Sequence, residues 1–185
     1  MGGEHRTVAF HDLHGRPLVD RSRPPHEWSL DPAYDDDVRA LRGRLPGAAA
    51  WSSSPEPKAF MTARLLTEAP IEIVPDLREH ERHGADWIED FGAAVRRAFA
   101  EPEVAACDGW EPLARCRERV VRAVAGILAT HRRTDVVLVG HGTAWTCLVS
   151  ALTGAAPDLE AWENLAMPDV IECVAPRRPG DMLAP

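Results

Sequence analysis

Residues 136–143 constrain the fold of this 185-residue chain more than any other stretch. They begin with four aliphatic residues at 136–139, and Gly140 ends the run. Such a run is too short for a helix, and its β-branched content predicts a strand buried on both faces. Residues 143–152 have spacing compatible with a helix, so His141 is predicted on a strand-to-helix turn. In open α/β sheets, this carboxyl edge is where ligands bind.

A second His-Gly pair lies near the start of the chain. Residues 7–10 form a short apolar run that predicts a strand, and residues 11–15 form a polar turn that ends in glycine. His14 by itself could be a structural turn histidine. However, the strands of a mostly parallel sheet end at the same edge. We therefore expect His14 and His141 to face each other across one pocket.

The rest of the chain alternates predicted strands with predicted helices. The strands are expected at residues 48–52, 71–74 and 169–174, and the helices from near residue 34 and at about 56–66, 112–131 and 158–165. This alternation predicts an α/β fold, a three-layer sandwich with a mostly parallel central sheet flanked by helices.

One segment interrupts the alternation. Residues 76–110 are predicted to be a small cap-like excursion with a helix near residues 91–99, which covers the carboxyl edge of the sheet. Residues 176–185 are predicted to be a loose tail. Because folding a chain of this length buries about 70% of its surface, we expect a single domain over residues 1–185.

Composition narrows the function classes. The net charge is −8 and the charges are interspersed, which argues against nucleic-acid binding. The sequence shows neither a signal peptide nor about 18 consecutive apolar residues, so we expect a cytoplasmic protein without a membrane partner. There is no glycine-rich phosphate loop and no dinucleotide fingerprint, so no cofactor is expected. A homodimer is compatible with this composition.

Metal binding is the weaker interpretation of the histidine clusters. The four cysteines have no paired metal-ligand spacing and are expected to be reduced thiols. The two remaining candidate sets are His11, Asp12 and His14, and His80, Glu81 and His83. The second set is one residue short of the helical zinc motif. We therefore expect no metal site.

The polar residues at the predicted pocket suit phosphoryl transfer. Two imidazoles, the Lys58 ammonium and the carboxylates of Glu79 and Glu81 could supply a nucleophile, a cation and a proton donor. Trp28 and Trp87 are either loop anchors or walls for a substrate.

These motifs, in this order over residues 7–174, resemble the histidine phosphatase superfamily, also called phosphoglycerate-mutase-like. The matching pieces are His14-Gly15, Ser53-Ser54-Pro55, Lys58-Ala59, Thr62-Ala63, Leu77-Arg78-Glu79 and Gly140-His141-Gly142. The resemblance implies a metal-independent hydrolase that acts on a small organic phosphomonoester through a phosphohistidine. It implies that His14 is the nucleophile, that His141 contacts the phosphoryl group, and that Glu79 is the acid, with Glu81 as its rival.

The chain departs from the family pattern at both arginines that hold the phosphoryl group. Leu13 and Lys58 stand in their places. Loss of one preorganised donor to a transition-state oxyanion costs about 2.7–4 kcal/mol. The missing charge could come from one of three nearby arginines, and Thr143 is a further candidate for substrate binding. The three arginines are Arg16, Arg21 and Arg23.

These departures keep a second function class open. The fold could instead carry out other acid–base chemistry, as an isomerase, lyase or cyclase, or it could be a non-catalytic binding protein.

Overall fold

A five-stranded sheet forms the centre of the structure. The computed structural model describes residues 7–83 and 87–174, with residues 7–13 described by their backbone alone, so the expected tail at residues 176–185 lies outside the described residues. The strands are β1 (Thr7–Leu13), β2 (Ala49–Ser53), β3 (Ile71–Ile73), β4 (Asp135–Gly140) and β5 (Val170–Val174), in the order β3-β2-β4-β1-β5. Among the five described strands, only β5 pairs antiparallel, against β1. The mostly parallel sheet is confirmed.

Helices lie on both faces of this sheet. They are α1 (Asp35–Ala40), α2 (Pro57–Leu66), α3 (Phe91–Ala100), α4 (Leu113–Thr130), α5 (Gly142–Thr153) and α6 (Leu159–Glu163), joined by 3-10 turns at Pro25–Glu27, Pro32–Tyr34, Leu41–Arg44 and Pro75–Leu77. Val136 and Leu138 of β4 belong to the core cluster of α3, α4 and α5, whereas Val137 and Val139 belong to that of α1 and α2. The expected three-layer sandwich is confirmed. No described helix is long and apolar enough to cross a membrane.

Gly140 sets the distance between β4 and the helix that follows it. A Cβ atom on this residue would lie 2.5 Å from Cζ2 of Trp145, whose side chain is buried. The Trp145 N–H donates to the carbonyl of His141 at 2.9 Å, which closes the first turn of α5. The absence of a side chain at Gly140 thus allows α5 to begin directly beneath the sheet edge.

The predicted polar turn at residues 11–15 is shorter than expected. Residues as far as Leu13 continue β1, because the backbone stays paired with β4 across a bulge between His11 and Leu13. The N–H of His14 then donates to the carbonyl of Gly140 at 3.3 Å. This bond places the first His-Gly beside the second at the end of the sheet.

Two further segments contain 3-10 turns. Residues 16–32 are rich in proline, which predicts a loop, and they contain such a turn at Pro25–Glu27, since proline excludes an α-helix interior but is tolerated at the start of a turn. The first helix ends at Ala40 and continues as the 3-10 turn Leu41–Arg44.

Candidate active site

A cavity of about 1060 Å³ opens at the carboxyl edge of the sheet. Its walls include residues from the segments after four strands: His14 and His141 directly follow β1 and β4, whereas Glu56 and Glu79 lie in the connections after β2 and β3. The ring centroids of the two histidines are 5.3 Å apart. The sheet topology therefore brings together polar residues that are far apart in sequence.

The ring of His14 is held in one tautomer. Its Nδ1 lies 2.9 Å from the carbonyl oxygen of Gly15, which can only accept, so Nδ1 carries the hydrogen. In a neutral imidazole, Nε2 then has the free lone pair. Burial, followed by the charge of Lys58, lowers the pKa of His14 to about 4. His14 is therefore neutral near pH 7 and can act as a nucleophile.

Helix α2 fixes the backbone of the first His-Gly. The N–H of Gly15 donates to Oγ1 of Thr62 at 2.9 Å, and this hydroxyl donates to the carbonyl of Lys58 at 2.8 Å. A Cβ atom on Gly15 would lie 2.5 Å from Leu30 and 2.7 Å from Val38. Gly15 and Thr62, which both belong to the sequence motifs, thus hold the backbone next to His14 in place.

His141 is fully buried, and each ring nitrogen has a different environment. Nε2 lies 2.7 Å from Oγ of Ser54 and 3.5 Å from Oε1 of Glu56. Nδ1 has no hydrogen-bond partner among the described residues. Burial, followed by the charge of Lys58, lowers the pKa of His141 well below its usual value. The second histidine is therefore also neutral in the free protein.

The positive charge of Lys58 is balanced by the carboxylate of Glu56, a residue that the sequence analysis missed. The Nζ of Lys58 donates to Oε2 of Glu56 at 2.5 Å and to the carbonyl of Pro25 at 2.7 Å. The Lys58 and Glu56 side chains are only 6% and 7% exposed, so they form a buried ion pair. The other carboxylate oxygen of Glu56 accepts from the N–H of Glu79 at 2.8 Å. The one available signal in the sequence is a carboxylate two residues before Lys58.

Glu79 caps the N-terminus of α5. Its carboxylate accepts from the N–H groups of Ala144 at 3.0 Å, Thr143 at 3.3 Å and His80 at 2.8 Å. Burial favours a higher pKa for this carboxyl. The charge of Arg82, with His141 and the His80 N–H, outweighs burial and holds the pKa below its usual value. The free protein therefore holds Glu79 ionised, although the role of an acid requires the protonated form.

Arg82 is the second residue that the sequence analysis missed. One guanidinium nitrogen donates to Oγ1 of Thr143 at 3.1 Å, and the group lies 4.6 Å from the ring centroid of Phe91 and 4.9 Å from that of Trp110. Its Nε is buried and has no hydrogen-bond partner among the described residues. The sequence places Arg82 in a charged run typical of a solvated surface, so nothing local marks it as part of a pocket.

The three arginines proposed as replacement cations have different positions. Arg21 lines the cavity with its guanidinium 4.1 Å from the ring centroid of Trp87, and Arg23 lines it while pairing with Asp20 at 3.8 Å. Arg16 is not part of the wall, because its guanidinium lies 5.0 Å from the ring centroid of Tyr34. The expectation that Arg16 could supply the missing charge stays a prediction.

The remaining candidate residues also have defined positions. Glu81 lines the cavity and accepts a hydrogen bond from Arg78, which holds its pKa below the usual value despite partial burial. Among the described side chains, no group of three or more His, Cys, Asp or Glu residues could hold a metal ion. The side chains of His11, Asp12 and Leu13 lie outside the described residues.

Arg119 of α4 holds the loop that carries Glu79. Its guanidinium donates to the carbonyls of Asp76 at 3.0 Å, Arg78 at 2.8 Å and Glu79 at 2.7 Å. It also pairs with Glu111 at 2.6 Å. The position of Glu79 is thus determined by a buried arginine far along the chain.

Three solved structures are similar to this chain over most of its length. A mycobacterial glucosyl-3-phosphoglycerate phosphatase has a TM-score of 0.69 and 20% identity, with 91% of this chain and 90% of that one covered. A phosphoserine phosphatase from Entamoeba histolytica has a TM-score of 0.71 and 11% identity, with 90% and 89% covered. An alpha-ribazole phosphatase from Shigella flexneri has a TM-score of 0.66 and 18% identity, with 86% and 84% covered. At these identities, the similarity shows the fold alone.

The sequence comparisons address the family directly. No curated protein matches the chain. The family model of the histidine phosphatase superfamily, branch 1, matches residues 29–173, a span that begins after His14 and includes Lys58, Glu79 and His141. Because this match covers well over half of the chain and agrees with the fold, the protein belongs to the histidine phosphatase superfamily.

Proposed function

We propose that the protein is a metal-independent phosphomonoester hydrolase that forms a phosphohistidine on His14. The observation that carries the proposal is the hydrogen bond from Nδ1 of His14 to the carbonyl of Gly15, at 2.9 Å. It leaves a lone pair on Nε2 of a neutral ring in the cavity wall. Phosphatases among the similar structures are consistent with this chemistry.

Two cationic side chains are available as hydrogen-bond donors to the phosphoryl oxygens. Arg82 lies in the cavity wall, and its Nε has no hydrogen-bond partner within residues 7–83 and 87–174. The charge of Lys58 is close enough to lower the pKa of both histidines. A guanidinium is planar and offers several N–H donors in a fixed geometry, which suits phosphate. Arg82 therefore supplies in this chain the charge that Leu13 does not.

The reaction begins with in-line attack of Nε2 of His14 on phosphorus. A P–N bond forms, the bond to the ester oxygen breaks, and the leaving alkoxide takes a proton from Glu79. Glu79 acquires this proton when the substrate binds, because a phosphate dianion beside a carboxylate raises the pKa of the carboxyl. Water then attacks the phosphohistidine and returns its proton to Glu79, which releases inorganic phosphate and restores His14.

The test is to trap the phosphoenzyme from a ³²P-labelled phosphomonoester. We expect acid-labile label on the wild-type protein and none on His14→Asn. The matched control is His131→Asn, since His131 lies at the C-terminal end of α4, outside the cavity wall. It should be labelled like the wild type. Phosphate release that persists in His14→Asn would contradict the proposed nucleophile.

The buried ion pair between Lys58 and Glu56 favours a second candidate function. A carboxylate that already neutralises the lysine and lies 3.5 Å from Nε2 of His141 is suited to acid–base chemistry on a less charged ligand, or to ligand binding without catalysis. Vanadate separates the two candidates. Micromolar competitive inhibition by vanadate supports the phosphatase. The alternative is supported if the protein does not bind vanadate and releases no phosphate from a broad panel of phosphomonoesters.

A further inference from the structure

Aromatic side chains form a large part of the cavity wall. Four of the six tryptophans in the chain line the cavity together with Phe91, namely Trp28, Trp87, Trp110 and Trp162. Ile88, Leu165 and Met167 add further apolar surface to the same wall. These side chains come from the loop after β1, from the segment after β3 and from α6 and the loop that follows it. Separate parts of the chain thus converge on one apolar surface.

The aromatic rings form a continuous array at one side of the cavity. The ring centroid of Phe91 lies 6.1 Å from that of Trp110 and 6.1 Å from that of Trp162. These separations are within the range of favourable aromatic contacts. Trp110 is buried and supports the array, whereas Phe91 is 38% exposed and offers its surface to a ligand.

Large apolar groups in the wall remain accessible. Trp87 is 56% exposed and Met167 is 40% exposed. Two guanidinium groups lie over aromatic rings of the same wall, Arg21 over Trp87 at 4.1 Å and Arg82 over Phe91 at 4.6 Å. Such planar cations and indole rings can also stack against a flat ligand.

The cavity is much larger than a phosphoryl group. Its volume of about 1060 Å³ is at the upper end of the range for sites that hold drug-sized ligands. His14, Lys58 and His141 occupy only the end at the sheet edge. The remaining volume is large enough for an organic group, and its walls are mainly apolar.

We propose that the organic group of the substrate is large, flat and apolar, so that the site prefers a phosphomonoester of an aromatic alcohol to one of a small polar alcohol. That the substrate carries a phosphomonoester rests on the proposed function. Recognition of the organic group rests only on the aromatic wall, so the two can be tested separately.

The binding experiment uses two non-hydrolysable phosphonates with the same anionic group, 3-(2-naphthyl)propylphosphonate and ethylphosphonate. Calorimetry on the wild-type protein should show at least tenfold tighter binding of the naphthyl compound, in line with the measured energies of aromatic contacts. Trp87→Ala and Trp162→Ala should each weaken binding of the naphthyl compound about fivefold. Because both compounds carry the same anionic group, the ratio of their affinities isolates the aromatic contribution, and this ratio should fall about fivefold in both variants.

Val104→Ala is the matched control, because Val104 is 58% exposed and lies outside the cavity wall. It should change neither affinity. Equal binding of the two phosphonates, or an unchanged preference in both tryptophan variants, overturns the proposal.

Hydrolysis is measured separately with 2-(2-naphthyl)ethyl phosphate and ethyl phosphate, whose leaving alcohols are both primary and have similar reactivity. A higher kcat/KM for the naphthyl ester supports both proposals. A clear binding preference without hydrolysis of either ester contradicts the proposed function and leaves the substrate-class inference supported.

Discussion

Glu56 determines how much positive charge the cavity offers to an anion. Its carboxylate lies 2.5 Å from Nζ of Lys58 and 3.5 Å from Nε2 of His141. A phosphoryl group that approaches the two histidines therefore competes with a carboxylate for the lysine. Like charges at short distance in a buried site repel strongly.

Replacement of Glu56 by glutamine should strengthen oxyanion binding. The amide oxygen can still accept from the N–H of Glu79, but the negative charge beside Lys58 is removed. We expect vanadate or inorganic phosphate to bind about tenfold more tightly, which corresponds to about 1.4 kcal/mol. Calorimetry or the inhibition constant of vanadate measures the change.

Glu68→Gln is the control for Glu56→Gln, because the Glu68 side chain is 88% exposed and lies outside the cavity wall. It should leave oxyanion affinity unchanged. Weaker binding in Glu56→Gln would show that Glu56 itself assists the anion, contrary to this account.

At the scale of secondary-structure elements, the site depends on how closely each helix approaches the sheet edge. Glu79 reaches the first N–H groups of α5, and Arg119 of α4 holds the Glu79 loop through three carbonyls. Carboxylates are stabilised at a helix N-terminus by the helix dipole and the free N–H groups. The packing of α4 and α5 therefore also determines the charge state of the cavity.

Gly140→Ala should disturb this packing. The added Cβ would lie 2.5 Å from the ring of Trp145, which is 1% exposed and cannot move aside without shifting α5. Overpacking of this kind costs about 1–3 kcal/mol. We expect urea unfolding to show a loss of that size.

Gly126→Ala in α4 is the matched comparison for Gly140→Ala. Apart from its chain neighbours and the backbone of its own helix, a Cβ at Gly126 would have no described atom within 4 Å, and alanine favours the helix. This variant should stabilise the protein by about 0.5–1 kcal/mol. A Gly140→Ala protein as stable as the wild type would show that α5 can move away from the sheet edge at little cost.

At the scale of the whole molecule, the buried neutral histidines make stability depend on pH. The pKa of His14 is lowered to about 4 in the folded protein, from an ordinary value of 6.5, chiefly by burial. Between these values the unfolded chain binds the proton and the folded chain does not. The free energy of unfolding therefore decreases as the pH falls from about 6.5 to about 4. The lowered pKa of His141 acts in the same direction.

The contribution of His14 can be measured by comparison with His14→Asn. A shift of this size corresponds to about 3 kcal/mol. We expect urea unfolding at pH 7 and pH 4 to show that the wild type loses more stability than His14→Asn, by an amount of this order. An equal loss in both proteins would mean that the His14 ring is accessible to protons in the folded state.

Local patterns in the sequence were sufficient for the architecture. The aliphatic run at residues 136–139 predicts the central strand, because only a strand can bury so short a run on both faces. The two His-Gly pairs predict a shared sheet edge, since parallel strands with helical crossovers end on the same side. Boundaries such as the end of β1 at Leu13 were less predictable, because pairing with β4 decides them.

The sequence by itself determined the α/β order, the family motifs and the two histidines at one sheet edge. Only the tertiary structure decided the charge of the cavity and the shape of its wall. In the sequence, Glu56 and Arg82 resemble ordinary surface charges. In the folded protein, Glu56 pairs with Lys58 and Arg82 donates to Thr143. Folding also decides that Trp28 and Trp87, which the sequence leaves as either loop anchors or substrate walls, share one wall with Trp110 and Trp162. The physical reason is that buried charge pairs and converging aromatic rings are contacts between segments remote in sequence, which leave no local periodicity or spacing.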